Sequence, residues 1–300
     1  MDILTLKNVS KSFSSHKVIE DLSFSVPEHT IYGFIGENGA GKTTTMKMIL
    51  GLYGTDKGDI HVCGEKVHYG QNRTNRYVGY LPDVPEFYGY MTPPEYLRLC
   101  GEITGIGRDE FNKRIPELLE VVGLDKATKR IQGFSRGMKQ RLGIAQALLN
   151  KPRLLICDEP TSALDPIGRK EILDILKSVK DKTTVIFSTH ILSDVERICD
   201  QIGLLHQGRL ALQGTLEEVR RLRRSDGFEV EFKNPMDAQS FLELYPEGRH
   251  SGGTQLIYDG KDEEDMASAM RLLCDNHINP LKLEMREPSL ESLFMEVVGK

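Results

Sequence analysis

The sequence predicts an α/β chain with a large unit over residues 1–222 and a small accessory unit over 227–300. Three observations lead there. Short apolar runs that read as buried strands alternate with helical patterns, and each ends in glycine or polar residues: TIYGFIG (Thr30–Gly36), RLLICDE (Arg153–Glu159) and TTVIFSTH (Thr183–His190). Over about residues 84–150 the pattern turns to helix alone. After the basic run RRLRR (Arg220–Arg224) and the turn residues SDG, a second and shorter α/β series begins.

In order along the chain, Thr30–Gly36 feeds a helix over KTTTMKMILGLY that stops near Gly51 and Gly54. GDIHVCGEKV reads as a strand with a turn at Gly64. PPEYLRLCGEI opens on prolines, which suit a first helical turn. In EFNKRIPELLEVVGL, Pro116 is expected to break or start a helix. Ser135 stands where it would cap the next helix, whose apolar stripe is Met138, Leu142, Ala145 and Leu149. Asp165 and Pro166 are placed as N-cap and first residue of a helix carrying Ile172, Ile175, Leu176 and Val179. QIGLLHQGRLALQGT reads as a hairpin turning at Gln207-Gly208. In the small unit Phe228, Val230 and Phe232 alternate as in a half-buried strand. Met266, Met270 and Leu273 form a helical stripe, Leu281, Leu283 and Met285 alternate again, and Leu290, Leu293, Phe294 and Val297 share a helix face. A ferredoxin-like arrangement is the expectation for this unit.

Composition narrows the function classes. The chain has 300 residues, 39% hydrophobic and 28% charged, which suffices for a large domain and a small one without covalent staples. A net charge of -5 gives no electrostatic case for nucleic-acid binding. Cys63, Cys100, Cys157, Cys199 and Cys274 are widely spaced with no C-x-x-C, so reduced thiols in a cytosolic compartment and no zinc site are expected. The start MDILTLKNVSKSF lacks the apolar core of a signal peptide, and no run is long enough to span a bilayer. Work at a membrane would need another chain to do the spanning.

Between a predicted strand and a predicted helix lies GENGAGKT: Gly36, Glu37, Asn38, Gly39, Ala40, Gly41, Lys42 and Thr43. It matches G-x-x-x-x-G-K-[ST], the phosphate loop of P-loop NTPases. Glycines let backbone N–H groups curl around phosphate oxygens, and the helix N-terminus adds positive potential. Lys42 would reach the β- and γ-phosphates of a nucleotide, and the Thr43 hydroxyl would ligate Mg²⁺. Thr44 completes the nucleotide-binding run.

Such an enzyme needs a further carboxylate for Mg²⁺, and Asp158 ends an apolar strand where that group belongs. Glu159 follows it and can take a proton from an attacking water. Elsewhere an Asp-Glu pair is usually a solvated strand end; after LLIC and beside a phosphate loop it points to chemistry. His190 ends the next strand. A lone histidine is more often structural, but parallel strands would bring this one to the sheet edge that holds Glu159 and the phosphate loop.

These motifs in this order resemble the ATP-binding subunit of an ABC transporter. The resemblance covers about Met1–Leu222 and is carried by GENGAGKT, by FSRGMKQRLGIAQALLNKPRLLICDEPTSALDP and by STH at Ser188–His190. It implies an ABC-type ATPase core with an inserted helical subdomain, ATP and Mg²⁺ as cofactors, and hydrolysis coupled to transport. It also implies a second ATPase subunit packed head to tail, so that Ser135, Arg136 and Gly137 face the ATP of the partner and Asp165 lies at the seam. Phe13, in KSF, matches an aromatic that stacks on adenine, against a plainer reading as a core residue of a first strand. The family's usual signature is L-S-G-G-Q; here it is Phe134, Ser135, Arg136, Gly137, Met138. Asp83, in YLPD, stands where a Mg²⁺- and water-contacting glutamine is usual, so it is the third candidate metal residue, with a shorter reach.

SRGMKQR and YLPD look most like the ABC-2 type exporter branch, whose membrane subunits are separate chains and whose members often end much like REPSLESLFMEVVG. That implies a peripheral protein on the inner face of the cell membrane, held there by a permease. Among rivals, a GTPase would need N-K-x-D, which is absent. A nucleic-acid or ribosome-linked ABC ATPase would bring a second ATPase unit or a long coiled coil, so no nucleic-acid partner is expected. A regulatory subunit with weak hydrolysis is the remaining alternative, and the presence of Glu159 opposes it.

Overall fold

The computed structural model describes residues 2–71, 73–221, 227–286 and 290–298, apart from the side chains at 221 and 296–298. The chain divides into two compact units, Met1–Leu216 and Glu217–Lys300. The expected boundary stretch 222–226 lies outside the described residues.

The first unit runs β1 (Asp2–Phe13), β2 (His16–Pro27), β3 (Ile31–Gly36), α1 (Lys42–Ile49), β4 (Lys57–Val62), β5 (Glu65–Lys66) and β6 (Val78–Leu81). It continues with α2 (Pro93–Ile103), α3 (Arg108–Val121), α4 (Arg136–Leu148), β7 (Leu154–Cys157), α5 (Pro166–Val179), β8 (Thr184–Thr189), α6 (Leu192–Ile198), β9 (Gln201–His206) and β10 (Arg209–Thr215). A short helix, α7 (Leu216–Arg221), follows.

A six-stranded sheet of order β10-β9-β3-β8-β7-β6 forms its centre. Every residue of β3, β7 and β8 is buried, which is why these strands read as unbroken apolar runs. They pair in parallel, with Ile35 opposite Thr189, Cys157 opposite Phe187 and Leu81 opposite Cys157. That register delivers residues at or just past the strand ends to one edge: Gly36, Asp83, Glu159 and His190. The expected hairpin forms β9 and β10. A separate antiparallel sheet, β2-β1-β4-β5, packs on the first through a shared core that includes Leu4, Leu6, Ile60, Phe34, Met46 and Ile156.

Between β6 and β7 the only regular elements among the described residues are helices, joined by irregular stretches such as 82–92 and 122–130. A capping box starts α2, with the Thr92 amide donating to Glu95 Oε2 at 2.8 Å. Pro116 does not break or start a helix: α3 is continuous from Arg108 to Val121. A proline in a helix interior costs about 3 kcal/mol. Burial of Phe111, Ile115, Leu118 and Leu119 along the same helix contributes roughly 1.5–3 kcal/mol each and outweighs it.

The second unit runs β11 (Gly227–Phe232), α8 (Pro235–Leu244), β12 (Arg249–His250), β13 (Gln255–Asp259), α9 (Glu263–Asp275), β14 (Pro280–Met285) and α10 (Leu290–Val298). Its antiparallel sheet has the order β12-β13-β11-β14, the ferredoxin-like split βαβ pattern. Phe228, Val230 and Phe232 pack with Phe241, Leu256, Tyr258, Ala269 and Leu273 in its own core. Two expected core positions fall elsewhere. Met270 is 48% exposed because Ala269 and Leu273, four residues apart, hold the buried stripe of α9. Leu281 is 64% exposed because a register shift opposite Glu231 and Phe232 skips it in the pairing. Leu290 and Leu293 are buried, as their helix face predicts, and the Val297 side chain lies outside the described residues.

Glycine at position 79 sets how closely α4 approaches β6. A Cβ there would lie 2.2 Å from the carbonyl oxygen of Ala147. Gly79→Ala is expected to destabilise the first unit by about 1–3 kcal/mol, read as a lowered midpoint in urea unfolding.

Candidate active site

The loop between β3 and α1 takes its shape from glycines. Gly39 (φ 85°) and Gly41 (φ 110°) occupy left-handed backbone that side-chain-bearing residues rarely adopt. At Gly41 a Cβ would also come within 2.4 Å of Ile19 Cδ1. Gly36 is pressed against Leu205, whose carbonyl oxygen would lie 2.5 Å from a Cβ. Glu37, Asn38, Gly39 and Thr43 are exposed, Thr44 is half-buried, and Ala40 and Gly41 are buried. The loop leads into a helix whose first-turn N–H groups have no intrahelical acceptor, an arrangement that accepts an anion.

Lys42 is only 6% exposed. Its ammonium donates to the carbonyls of Gly36 (2.6 Å) and Glu37 (3.1 Å) and lies 3.2 Å from Glu159 Oε1. The other carboxylate oxygen of Glu159 meets His190 Nδ1 at 3.0 Å. An ionised carboxylate only accepts, so this contact assigns the ring proton to Nδ1 and leaves Nε2 an acceptor in neutral His190. The structure thus brings together Lys42, Glu159 and His190 from three elements.

Asp158 is buried, and its Oδ1 accepts from the Ser188 hydroxyl at 2.7 Å. The same hydroxyl accepts from the Glu159 amide at 2.9 Å. Glu159 itself has φ 49°, so the bond holds a non-glycine residue in the left-handed region. Ser188 is fully buried and was not among the candidate site residues, although it opens the STH motif. A serine in a buried strand gives no signal until its partner strand is known. Thr45 is a similar case, its buried hydroxyl donating to the Gly41 carbonyl at 3.0 Å and bracing the loop.

Other candidates lie around this centre. Phe13 ends β1 and is 41% exposed, which excludes the core reading; its ring meets Tyr53 edge-on at 5.3 Å. Ser135 caps α4, its hydroxyl accepting from the Met138 amide at 3.2 Å, and Gly137 lies in the first turn. Asp165 caps α5 by accepting from the Gly168 amide at 2.9 Å. Arg136 bonds within its own chain, with Nη2 3.3 Å from both Asp83 Oδ1 and Ser162 Oγ. The resemblance sets Arg136 facing the ATP of a partner; its link to Asp83, 53 residues away in the chain, carries no signal in the sequence. The Asp83 backbone is held too, its carbonyl accepting from the fully buried Gln140 at 2.7 Å.

Beside Asp83 a cleft of about 480 Å³ is lined by Val84, Phe87, Ile131, Arg136, Lys139 and Gln140, among others. No described helix is long and apolar enough to cross a membrane.

Known proteins match this architecture. The family model described as "ABC transporter" matches residues 19–162. The uncharacterized ABC transporter ATP-binding protein YxlF of Bacillus subtilis is 37% identical over 300 residues, covering 99% of each chain. The bacitracin transport ATP-binding protein BcrA of Bacillus licheniformis is 37% identical, covering 99% of this chain and 97% of its own. A solved structure titled as the ATP binding subunit of an ABC transporter superposes with TM-score 0.66 at 36% identity, over 73% of this chain and 92% of the other. The chain belongs to the ATP-binding proteins of ABC transporters, the subunits that hydrolyse ATP to drive transport.

Proposed function

We propose that this chain powers export of a substrate through a separate membrane-spanning permease, with ATP hydrolysed where two ATPase subunits meet head to tail. The observation that carries the reading is the cluster of Lys42, Glu159 and His190 at the mouth of a glycine-shaped phosphate loop. Gly36–Thr43 and Thr44 bind the nucleotide phosphates, and Phe13 stacks on adenine. When ATP enters, the Lys42 ammonium leaves the Gly36 and Glu37 carbonyls for phosphate oxygens, a stronger charge-assisted pairing. That exchange frees Glu159, which takes the proton of the attacking water. His190 orients the carboxylate through its Nδ1 proton.

The oxygen donors of Thr43 and Asp158 suit Mg²⁺, with Asp83 as a further oxygen ligand on the same edge. Bound there, Mg²⁺ supplies charge neutralisation on the β- and γ-phosphate oxygens. The partner subunit contributes Ser135, Arg136 and Gly137 to each site and presents Asp165 at the seam. The permease docks at the cleft beside Asp83, where Val84, Tyr88 and Tyr90 are exposed, and so holds the chain at the inner face of the cell membrane. Export is the direction favoured by the exporter-like SRGMKQR and YLPD stretches, and transport by the kinship to a bacitracin transport protein. The small unit 227–300 serves regulation or dimer contact.

Glu159→Gln is expected to keep ATP binding, lower turnover by about two orders of magnitude or more, and leave an ATP-trapped dimer visible by size exclusion. Wild-type turnover in that variant would remove the base assignment. Lys42→Ala is expected to weaken nucleotide binding roughly ten- to hundredfold in a fluorescence titration, the loss of a charged hydrogen bond. Ser188→Ala leaves the Glu159 amide without its partner, at about 1–3 kcal/mol of stability. It is expected to lower kcat while KM for ATP holds; Ser188→Thr, which restores a hydroxyl, tests the bond itself. Purification from membranes should bring a permease with the chain, whereas a ribosome or DNA in its place would overturn the transport reading.

A further inference from the structure

The helices that follow two of the site loops are joined by a part-buried ion pair. Arg169 lies in the first turn of α5, where its amide donates to the Asp165 carbonyl at 2.9 Å. Its guanidinium Nη2 reaches Asp194 Oδ1 in α6 at 2.6 Å and Ser193 Oγ at 3.3 Å. Asp194 is 3% exposed. Its Oδ2 and the Arg169 Nε are both buried without a hydrogen-bond partner among the described residues. The buried Asp194 carboxylate therefore depends on Arg169, whose side chain is 28% exposed, for its compensation.

His190 lies just before α6. The Asp194 amide donates to the Ile191 carbonyl at 3.2 Å, and the Ile191 amide donates to Thr189 Oγ1 at 3.0 Å, so the turn holding His190 is tied to Asp194. His190 in turn meets Glu159, and Glu159 leads through residues 160–164 back to Asp165. The contacts close a ring: Glu159, Asp165, Arg169, Asp194, His190 and Glu159 again. The same two helices share a second pair, Arg197 with Asp174 at 3.4 Å, whose side chains are 43% and 54% exposed. An exposed pair of that kind contributes little, so Arg169 with Asp194 is the stronger of the two ties between α5 and α6.

We propose that Arg169 is a positioning residue for hydrolysis: its pair with Asp194 fixes α6 against α5 and so sets where His190 meets Glu159. Through Asp165, the same strut carries the approach of the partner subunit at the seam to His190. The inference rests on the assignment of Glu159 as base, His190 as its orienting partner and Asp165 as a seam residue. Because α5 and α6 begin at different motifs, a shift of either helix moves the His190 ring relative to the carboxylate. Displacements of about 1 Å at such a contact cost up to about a hundredfold in rate.

The test uses the full chain and measures thermal midpoint, KM for ATP and kcat. Arg169→Met alone strands a buried carboxylate and can unfold the protein, so the principal variant is the double change Arg169→Met with Asp194→Leu, which removes both charges at similar volume. It is expected to stay folded, to hold KM within about twofold and to lose kcat about tenfold or more. Arg169→Lys, which keeps the charge but loses the fork, should fall between it and wild type. Arg197→Ala should leave kcat unchanged. In a His190→Ala background the double change should add little, because a strut acting through His190 has nothing left to place. Wild-type kcat in the folded double variant overturns the inference, as does a loss that multiplies in full with that of His190→Ala. Full turnover in His190→Ala alone instead removes the His190 assignment beneath it.

Discussion

The active edge of this protein depends on the parallel register of β3, β8, β7 and β6. With Ile35 opposite Thr189 and Cys157 opposite Phe187, the phosphate loop, the Asp158-Glu159 pair and His190 all emerge at the same level. A slip of one residue in any pair would turn side chains to the other face of the sheet and part Ser188 from Asp158. Continuous burial of these strands penalises such slips. The apolar core of the first unit is therefore also what sets the geometry of its chemistry.

Within that frame, adjacent carboxylates meet different donors. Asp158 is buried with the Ser188 hydroxyl on Oδ1, whereas Glu159 lies between the Lys42 ammonium and the His190 ring. The left-handed backbone of Glu159 turns its side chain back toward the phosphate loop rather than along the strand direction. Lys42 bonds to loop carbonyls and lies close to Glu159, so it serves as an internal counter-ion to that carboxylate. Arg136 plays a comparable part at the periphery. A cation at a helix N-terminus is electrostatically unfavourable, and the Asp83 carboxylate beside it offsets that. The departures from the family pattern at residues 83 and 136 are thus one physical feature seen at two places in the chain.

Much of the fold was legible because local signals and burial agree. The runs TIYGFIG, LLIC and TVIFST are buried strands, and Asp165 and Ser135 cap their helices as their residue types indicate. Where the reading missed, a non-local term had the larger magnitude. Pro116 lies inside α3 because the apolar face of that helix outweighs a missing backbone bond. Met270 is exposed because the stripe of α9 turns on Ala269, a residue too small to stand out. Leu281 is exposed because a register shift interrupts an alternation that is regular in the sequence.

By itself, the sequence determined the residues of the phosphate loop, the strand-end acids, the family resemblance and the order of elements. Each of these is a property of short segments, where residue type and spacing act through neighbouring backbone. Only the tertiary structure decided which atoms meet: Ser188 between Asp158 and the Glu159 amide, Arg136 on Asp83, and Arg169 on Asp194. These partners are separated in the chain by 30, 29, 53 and 25 residues respectively. Contacts at that separation are set by how buried strands and helices pack, because only packing can bring and hold such distant groups within hydrogen-bonding distance.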